Sequence, residues 1–302
     1  MSPPAVPAAD RLRAALDTLA AAGLPSPRVD AELLLASLLG RSRSQLLLVV
    51  ELDDTEAAAF DELIRRRAAG EPVQHLTGSA PFRYLELAVG PGVFIPRPET
   101  ELVLELAADR LPEASTVVDL CAGSGAIALA TAQEYPSSRV IAVERSEPAL
   151  RWLRLNAAAR LAAGDRPIEI VAADIAEPGL LAELAGCVDV LLANPPYVPE
   201  RSRPQLAADV GHDPSEAVFG GPDGLALMPA LLSSAARLLR PGGRLVVEHD
   251  ESHAASLPAL LRASGQWAAV VDRPDLAGRP RFVVADRARG GVVREVRQDL
   301  GV

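Results

Sequence analysis

The feature that most constrains the fold is a regular alternation of short apolar runs with helical patterns in the second half of the chain. The apolar runs predict seven strands, at residues 116–120, 139–143, 168–172, 188–193, 244–249, 267–272 and 281–285. The segments between them predict helices at residues 99–110, 126–134, 147–163, 227–239 and 253–263. Such alternation is typical of a parallel sheet covered by helices on both faces. A short polar segment joins the last two strands, which predicts that they pair antiparallel. We therefore expect a seven-stranded α/β sheet.

The first part of the chain has a different pattern. It predicts helices that close at glycines, over residues 10–22, 30–39 and 54–69, with a short ambiguous segment at 44–50. Residues 1–9, rich in Pro and Ala, are expected to be disordered. From Pro72, several Gly and Pro residues predict a linker and a β-hairpin that turns near Gly90–Pro91–Gly92. The predicted organisation is an N-terminal helical domain, a linker with the hairpin, the sheet domain and a loose tail, at residues 1–72, 73–98, 99–288 and 289–302.

Composition and charge limit the classes of partner. The 302-residue chain has 30 Lys and Arg against 40 Asp and Glu, a net charge of −10. An acidic chain repels phosphates, so extended nucleic-acid binding is disfavoured unless a local basic patch overrides the net charge. Cys121 and Cys187 match no metal-binding spacing and are too few for a disulfide scaffold, which indicates a reducing cytoplasm and no metal site. We find no signal peptide and no uncharged apolar run of about 18 residues, so no membrane segment is expected.

A glycine-rich turn follows the first predicted strand of the sheet, in VVDLCAGSGAIALA, residues 117–130. Gly123 and Gly125 allow a tight turn and close approach of a ligand to the backbone N–H groups that begin the next helix. Glu144 ends the second strand, where an acid commonly binds two ribose hydroxyls. Together they predict an adenosine-containing ligand. A ligand-free turn remains an alternative, and so does a nicotinamide dinucleotide, because GSGAIA fits G-x-G-x-x-A. Asp174 is a candidate for the adenine end of the ligand, or else a cap.

The fourth predicted strand ends in a rigid corner, NPPY, in the stretch VDVLLANPPYVPE. Asn194 reaches the carboxyl edge of the sheet, where ligands of such folds bind. Pro195 and Pro196 lack N–H groups and fix φ near −65°, so the corner is stiff and its carbonyls are free to accept hydrogen bonds. Tyr197 offers a ring face. The corner therefore fits a planar –NH2 group, held by the Asn194 side-chain oxygen and the Pro195 carbonyl. The alternative is a purely structural turn.

Three motifs, DLCAGSGAIALA, AVERS and NPPY, resemble in order and spacing those of S-adenosylmethionine-dependent methyltransferases that modify an amide or amino nitrogen. QHLTG, FIPRPETELV and HDPSEAVFGGPDGL narrow this resemblance, over residues 10–286, to the PrmC/HemK family, the protein-glutamine N5-methyltransferases of peptide chain release factors. NPPY is shared with adenine-N6 DNA methyltransferases, whereas IPRPETE and GGPDGL are far more specific. The chain departs from the family pattern at Cys121, where glycine is frequent, at Glu144, where Asp is also common, and at EHD, residues 248–250.

The resemblance implies a Rossmann-like class I methyltransferase sheet and S-adenosylmethionine as cofactor. It implies that the cofactor is bound by Cys121, Ala122, Gly123, Ser124, Gly125, Glu144, Asp174, Ile175 and Asn194. It implies that Asn194, Pro195, Pro196 and Tyr197 hold the glutamine, with Asn194, Pro195 and Tyr197 in catalysis. Residues 97–100 resemble a motif near the methionine end of the cofactor, although a helix N-terminus would explain Glu99 equally well. The implied partners are peptide chain release factors 1 and 2, gripped with help from the helical domain. A cytoplasmic monomer that binds no DNA is expected.

This chemistry needs no dedicated base. An amide nitrogen is a poor nucleophile, and accepting hydrogen bonds from its hydrogens localises its lone pair, while the methylated nitrogen sheds its proton to water. His212, the nearest histidine to NPPY in the sequence, is expected to be an ordinary loop residue. The leading alternative is an adenine-N6 DNA methyltransferase, which would need a basic duplex-binding face. A nicotinamide-dependent oxidoreductase has no use for NPPY, and a non-catalytic scaffold has little reason to keep both sites.

Overall fold

The computed structural model describes residues 6–111, 115–205 and 208–289. The strands, numbered in chain order, are β1 Val6–Pro7, β2 Glu51–Leu52, β3 Ser79–Phe82, β4 Leu85–Ala88, β5 Thr116–Leu120, β6 Arg139–Glu144, β7 Glu169–Ala172, β8 Val188–Ala193, β9 Leu239–Glu248, β10 Trp267–Pro274 and β11 Pro280–Arg287. The α-helices are α1 Ala8–Ala21, α2 Pro27–Leu38, α3 Asp54–Ala68, α4 Val73–Thr77, α5 Leu102–Glu105, α6 Ala126–Glu134, α7 Glu147–Ala162, α8 Ser215–Val218, α9 Met228–Leu238 and α10 Ser256–Ala263.

Strands β5 to β11 form one seven-stranded sheet in the order β10-β11-β9-β8-β5-β6-β7. Strands β5 to β9 pair parallel, whereas β11 pairs antiparallel with both β9 and β10. The seven-stranded α/β sheet and the antiparallel final pair are therefore confirmed. From β5, the chain adds β6 and β7 on one side of the sheet and then β8 and β9 on the other side, so the strand order reverses beside β5. Ligands of open α/β sheets bind at the carboxyl edge beside such a reversal.

The sheet is buried on both faces. Neighbouring residues of a strand point to opposite sides of the sheet, and in the central strands the residues on both sides are mostly apolar. Val117 of β5 and Leu192 of β8 pack into the apolar cluster on one face. Val118 of β5 and Leu191 of β8 pack into the cluster on the other face. Helix α6 belongs to the first cluster and α9 to the second. This two-sided burial is why the strands are nearly continuous apolar runs in the sequence.

The N-terminal helices α1 to α3 enclose a separate apolar cluster around Leu19, Leu34 and Phe60. The Asp53 side chain caps α3 by accepting from the Glu56 N–H at 2.8 Å. The ambiguous segment at 44–50 is mostly a short 3-10 helix, Arg43–Leu48. The prediction of disorder was wrong for residues 6–9, because β1 pairs with β2 and Ala8 begins α1. Residues 1–5 lie outside the described part.

The hairpin exists, but its predicted turn near Gly90–Pro91–Gly92 was wrong. The turn lies at Arg83 and Tyr84, between β3 and β4. Arg83 adopts φ 52°, and its N–H donates to Glu101 Oε1 at 3.0 Å while its guanidinium pairs with Glu134 and Glu105. These partners come from distant segments, so they stabilise a turn that local composition does not indicate.

The predicted helix at 99–110 was wrong as a single element. It is divided into a 3-10 helix Pro98–Glu101, α5, and a second 3-10 helix Ala108–Arg110. Two of its carbonyls accept side-chain donors, that of Glu101 from Arg83 at 3.2 Å and that of Leu106 from Arg244 at 3.1 Å. The other predicted strands and helices match observed elements to within a few residues at each end, except that β9 begins at Leu239. The short elements β1, β2, α4 and α8 had no predicted segment. Of the predicted tail, 290–302 lies outside the described residues. The boundaries between the four predicted parts stay a prediction.

Within the described ranges, the structure contains no helix that is both long and apolar enough to cross a membrane. Nor do these ranges bring three or more His, Cys, Asp or Glu together in a group able to hold a metal ion.

Candidate functional site

The strand register brings the predicted site residues to one edge of the sheet. Leu120, the last residue of β5, pairs with Val143 of β6 on one side and with Ala193 of β8 on the other. Ala193 also pairs with Val247 of β9. The residues that follow these positions, Cys121, Glu144 and Asn194 among them, therefore leave the sheet side by side. This is the edge at which the order of strands reverses.

A cleft with about 960 Å³ of empty space, including solvent at its mouth, lies at this edge. Its lining includes most of the predicted cofactor and substrate residues: Cys121, Ala122, Gly123, Ser124, Glu144, Asp174, Ile175, Asn194 and Pro196. Gly125, Pro195 and Tyr197 are not part of this lining. A Cβ on Gly125 would lie 2.5 Å from Leu153 Cδ1, so that glycine allows α6 to pack against α7.

The glycine-rich turn is built from three residues in the left-handed region, with φ of 65° at Cys121, 56° at Gly123 and 89° at Gly125. For a residue with a side chain this conformation costs roughly 1–2 kcal/mol, so Cys121 is strained where glycine would not be. A Cβ built on Gly123 meets no atom within 4 Å, although Gly123 lines the cleft. The turn therefore leaves open space against the backbone, as close approach of a ligand requires.

Glu144 is held rigidly by backbone donors. Its Oε1 accepts from the N–H groups of Arg145 at 2.8 Å and Ser146 at 2.7 Å, and its Oε2 accepts from Gly123 at 2.9 Å. A carboxylate has about four lone-pair sites, so Oε2 keeps capacity for another donor on the cleft side. This remaining acceptor capacity fits a ribose hydroxyl, which would donate to Oε2. The three backbone donors also explain how the glycine-rich turn and the end of β6 are fixed relative to each other.

Asp174 has the structural role that the sequence left open. Its Oδ1 accepts from the Ala176 N–H at 2.8 Å, and its Oδ2 accepts from the Arg145 guanidinium at 3.0 Å. The backbone hydrogen bond from Ala176, followed by the one from Arg145, lowers the pKa of this carboxyl below its ordinary value. Asp174 also lines the cleft, so its turn-stabilising contacts leave it available to a ligand.

A chain of hydrogen bonds supports the NPPY corner. The Asn194 side chain donates through Nδ2 to Thr100 Oγ1 at 3.1 Å, and the Thr100 hydroxyl donates to Glu248 Oε2 at 2.7 Å. The Tyr197 hydroxyl donates to Glu248 Oε1 at 2.7 Å. Glu248 ends β9 and is 1% exposed. This chain of hydrogen bonds joins the segment around Thr100, the NPPY corner and the end of β9. From the sequence, only the corner was predicted to bind the substrate.

Burial sets the electrostatics of this corner. It raises the pKa of the Glu248 carboxyl, although the hydrogen bonds from Tyr197 and Thr100 act in the opposite direction. Burial, and then the neighbouring Glu248 charge, raise the pKa of Tyr197 well above its ordinary value, which keeps the phenol protonated. Tyr197 is thus a hydrogen-bond donor whose ring packs against the core cluster on that face of the sheet.

Two acceptors remain free at the corner. In the part of the chain that the structure describes, neither Asn194 Oδ1 nor the Pro195 carbonyl receives a hydrogen bond. Asn194 lines the cleft, and Pro195 follows it directly. The sequence predicted that these two acceptors hold a planar –NH2 group, and this role stays a prediction.

The loop after the corner is packed backbone against backbone. Val198 pairs with Phe219, and the Gly220 N–H donates to the Val198 carbonyl at 3.0 Å. A Cβ on Gly220 would lie 2.5 Å from the Pro196 carbonyl oxygen, and one on Gly224 would overlap the Tyr197 carbonyl oxygen. Gly220 and Gly224 of the GGPDGL segment are therefore glycines because their backbone touches the corner, which the resemblance alone does not explain.

Further residues fix the walls of the cleft and carry no local sequence signal. Asn156 of α7 donates to the carbonyls of Ala88 and Ser124, each at 3.0 Å, and accepts from the Ala88 N–H at 2.8 Å. It therefore ties the hairpin to the glycine-rich turn. Thr100 lay in a motif that the resemblance singled out, whereas Glu248 had been noted only as part of EHD. Neither was predicted to contact the corner.

Known proteins resemble this chain in sequence and in fold. The model of the PrmC N-terminal domain matches residues 10–78, and that of the methyltransferase small domain matches residues 87–212. The release factor glutamine methyltransferase of Mycolicibacterium smegmatis is 49% identical over 92% of this chain and 98% of its own, and that of Streptomyces coelicolor is 48% identical over 91% and 96%. A methyltransferase from Pyrococcus furiosus, 17% identical, shares the fold with a TM-score of 0.50 over 68% of this chain and 90% of its own.

The relatives match both the helical part and the sheet, so the similarity is not confined to the shared methyltransferase fold. Because two of them are 48–49% identical over nine tenths or more of both chains, the chain belongs to the release factor glutamine methyltransferase family.

Proposed function

We propose that the protein transfers a methyl group from S-adenosylmethionine to the side-chain amide nitrogen, N5, of the glutamine in the Gly-Gly-Gln motif of class-1 peptide chain release factors. The observation that carries the proposal is the pair of free acceptors, Asn194 Oδ1 and the Pro195 carbonyl, beside an open cleft at the edge of the sheet. The names of the family relatives support the same substrate.

The cleft residues fit the proposed cofactor. Glu144 Oε2 would accept from the ribose, the backbone of Gly123 would lie against the ligand, and Asp174 and Ile175 would meet the adenine end. Thr100, with Cys121, would line the end nearer the corner. When bound, the cofactor supplies an electrophilic methyl group on a sulfonium. All further contributions come from the side chains and backbone of the protein.

The corner would orient and activate the amide. Asn194 Oδ1 and the Pro195 carbonyl would each accept one hydrogen of the substrate –NH2, which localises the nitrogen lone pair and holds it toward the cleft. Orientation of this kind can supply much of the catalytic advantage of a bound pair. The prolines fix φ near −65°, so the acceptors do not have to be ordered when the substrate arrives. The proton of the methylated nitrogen would leave to water, so no histidine is required.

We also propose that the helical domain, residues 1–72, helps to grip release factors 1 and 2, with the segment 73–98 joining it to the methyltransferase domain. The proposed setting is the cytoplasm, consistent with the free thiols of Cys121 and Cys187. A monomer suffices, because the proposed contacts to cofactor and amide come from one chain.

In the test, the purified protein is incubated with labelled S-adenosylmethionine and one of three substrates: intact release factor 1, intact release factor 2 or duplex DNA. We expect label on both release factors, located by peptide mass spectrometry on the glutamine of Gly-Gly-Gln. Replacing that glutamine by alanine should remove the signal. Duplex DNA should neither accept methyl groups nor compete.

Salt dependence separates the protein substrate from the DNA alternative. Duplex binding falls steeply with added salt because counterions are released from phosphates, whereas a protein loop entering a cleft depends on salt more mildly. Methylation of adenine in DNA, together with unlabelled release factors, would replace the proposal with an adenine-N6 DNA methyltransferase.

A further inference from the structure

The hydroxyl of Thr100 has one proton, and its position determines what the rest of the chain of hydrogen bonds can do. Glu248 accepts that proton at 2.7 Å, because an ionised carboxylate can only accept. Toward Asn194, 3.1 Å away, Thr100 can then only offer a lone pair. The group of Asn194 that faces Thr100 must therefore be the donor, Nδ2. Chemistry fixes this amide orientation, which the shape of the side chain alone does not.

The opposite orientation has two faults. It would place Asn194 Oδ1 against the Thr100 lone pair, acceptor against acceptor. It would also turn Nδ2–H toward an incoming –NH2 group, donor against donor. We propose that Glu248 is a positioning residue, which acts through Thr100 to hold the Asn194 amide with Oδ1 toward the substrate. The proposal rests on the proposed function insofar as the substrate is taken to be a planar amide.

The surroundings of Glu248 support this role. Its carboxylate is 1% exposed and receives two hydroxyl protons, from Thr100 on Oε2 and from Tyr197 on Oε1. The positive charge of Arg281 favours the ionised form, and the negative charge of Glu99 opposes it. A buried acid with two donors is a fixed acceptor, and it ties both ends of the NPPY corner to β9. Neither donor can turn away without leaving a buried oxygen unpaired.

Proton uptake by Glu248 would allow the hydrogen bonds that link Glu248, Thr100 and Asn194 to reverse direction. Burial raises the pKa of this carboxyl above the ordinary value of 4.5, so protonation begins at a higher pH than for an exposed glutamate. Once protonated, Glu248 can donate to Thr100, the Thr100 proton can turn to Asn194, and the amide is free to reverse. The positioned form is therefore present at higher pH and is lost as pH falls through the raised pKa.

The first test compares Thr100→Val, which removes the hydroxyl but keeps the shape, with Thr100→Ser, which keeps the hydroxyl. For Thr100→Val we expect kcat for the accepted substrate to fall about ten- to a hundredfold, as for loss of a buried hydrogen-bond partner. Because Thr100 also lines the cleft, kcat is measured at saturating S-adenosylmethionine, and affinity for S-adenosylhomocysteine is measured separately. Thr100→Ser should recover most of the lost kcat. Equal kcat in wild type and Thr100→Val, or no recovery in Thr100→Ser, would overturn the proposal.

The second test uses the pH profile of kcat. The wild-type protein should lose activity on the acid side as Glu248 gains its proton. Glu248→Gln cannot ionise, so its lower activity should show no such acid limb. An acid limb that persists unchanged in Glu248→Gln would contradict the assignment, whatever the absolute rate.

A third measurement needs no substrate, so it separates this proposal from the proposed function. In the ligand-free protein, the Nδ2 proton that Asn194 donates to Thr100 should show slow solvent exchange by NMR in the wild type and in Thr100→Ser, and faster exchange in Thr100→Val. If release factors are not methylated but this exchange pattern holds, the proposed function fails and the positioning role stands. If they are methylated and the exchange rates are equal, the reverse is true.

Discussion

The guanidinium of Arg97 lies 2.5 Å from the carboxylate of Asp213, although 116 residues separate them in the chain. The Asp213 side chain is fully buried and also accepts from the Ile95 N–H at 3.0 Å. The two residues join the segment before α5 to the loop that carries α8. Phe94, next to Ile95, and Pro214, next to Asp213, both line the cleft. The ion pair therefore joins two segments of the cleft lining.

Replacing Asp213 with alanine should loosen the cleft as well as the fold. The change leaves a partly buried arginine without this carboxylate and the Ile95 N–H without its acceptor. Breaking an ion pair in which both side chains are fully buried costs more stability than this. Because the Arg97 side chain is 26% exposed, we expect about 2–4 kcal/mol of unfolding free energy to be lost. Affinity for S-adenosylhomocysteine should fall about tenfold, since a loss of roughly 1.4 kcal/mol in binding corresponds to that factor. Urea unfolding and calorimetry measure the two effects.

The matched control breaks an exposed pair. Arg154 and Glu147 on α7 form an ion pair with side chains 50% and 59% exposed. Glu147→Gln should cost less than about 1 kcal/mol and leave ligand affinity unchanged, because water replaces the lost partner. Similar losses in both variants would mean that the Arg97–Asp213 contact has no special part in the cleft.

Asn194→Ala should nearly abolish methyl transfer while cofactor affinity stays within a few fold. Removal of Oδ1 leaves one substrate N–H unpaired in a closed site, at a cost of about 1–3 kcal/mol, and lost orientation adds to that. Single-turnover assays report the transfer step, and calorimetry with S-adenosylhomocysteine reports the cofactor site. Turnover near that of the wild type would show that the NPPY corner is only a structural turn.

S-adenosylmethionine should raise the thermal midpoint of unfolding, and NAD should not. A ligand that binds only the native state adds about 2.7 kcal/mol at a hundredfold excess over Kd. Glu144→Gln should reduce the shift, because its amide would donate where the carboxylate accepts from Gly123 and where we propose that it accepts from the ribose. Differential scanning fluorimetry with both ligands tests this. Stabilisation by NAD alone would assign the cleft to a nicotinamide dinucleotide.

Gly224→Ala should damage the corner more than its backbone angle alone explains. Gly224 has φ 81°, and a Cβ there would overlap the Tyr197 carbonyl oxygen and lie 2.8 Å from a His253 ring carbon. Gly278 has nearly the same φ, 82°, with nothing within 4 Å of a Cβ. Gly278→Ala should therefore cost only the left-handed strain, roughly 1–2 kcal/mol. We expect Gly224→Ala to lose more stability than this and most of its activity, whereas equal losses would rule out the packing argument.

The sheet could be predicted from the sequence because each of its central strands is buried on both faces, which leaves a local apolar run. The glycine-rich turn and the NPPY corner could be predicted for a similar reason, since both follow such a run directly. The hairpin turn could not. Arg83 adopts a positive φ there through contacts with Glu101 and Glu134, which lie 18 and 51 residues away.

The supporting residues of the site are invisible to local patterns. Thr100 and Glu248 are 148 residues apart, and their hydrogen bond exists only because the fold brings the 3-10 helix Pro98–Glu101 to the end of β9. A buried glutamate at the end of a strand has the same sequence appearance as one that points to solvent. Its contacts in the folded chain, rather than its residue type, give it a role.

The pairing of Leu120 with Ala193 sets how far the glycine-rich turn lies from Asn194. Because side chains alternate along a strand, inserting one residue within β8 would turn Asn194 away from the cleft and expose apolar side chains meant for the core. The same insertion in the exposed turn at residues 163–166, between α7 and β7, would change no register. Tolerance to insertions and deletions should therefore differ sharply between these neighbouring stretches, and length variation among related chains is expected in the connections and not in 188–197.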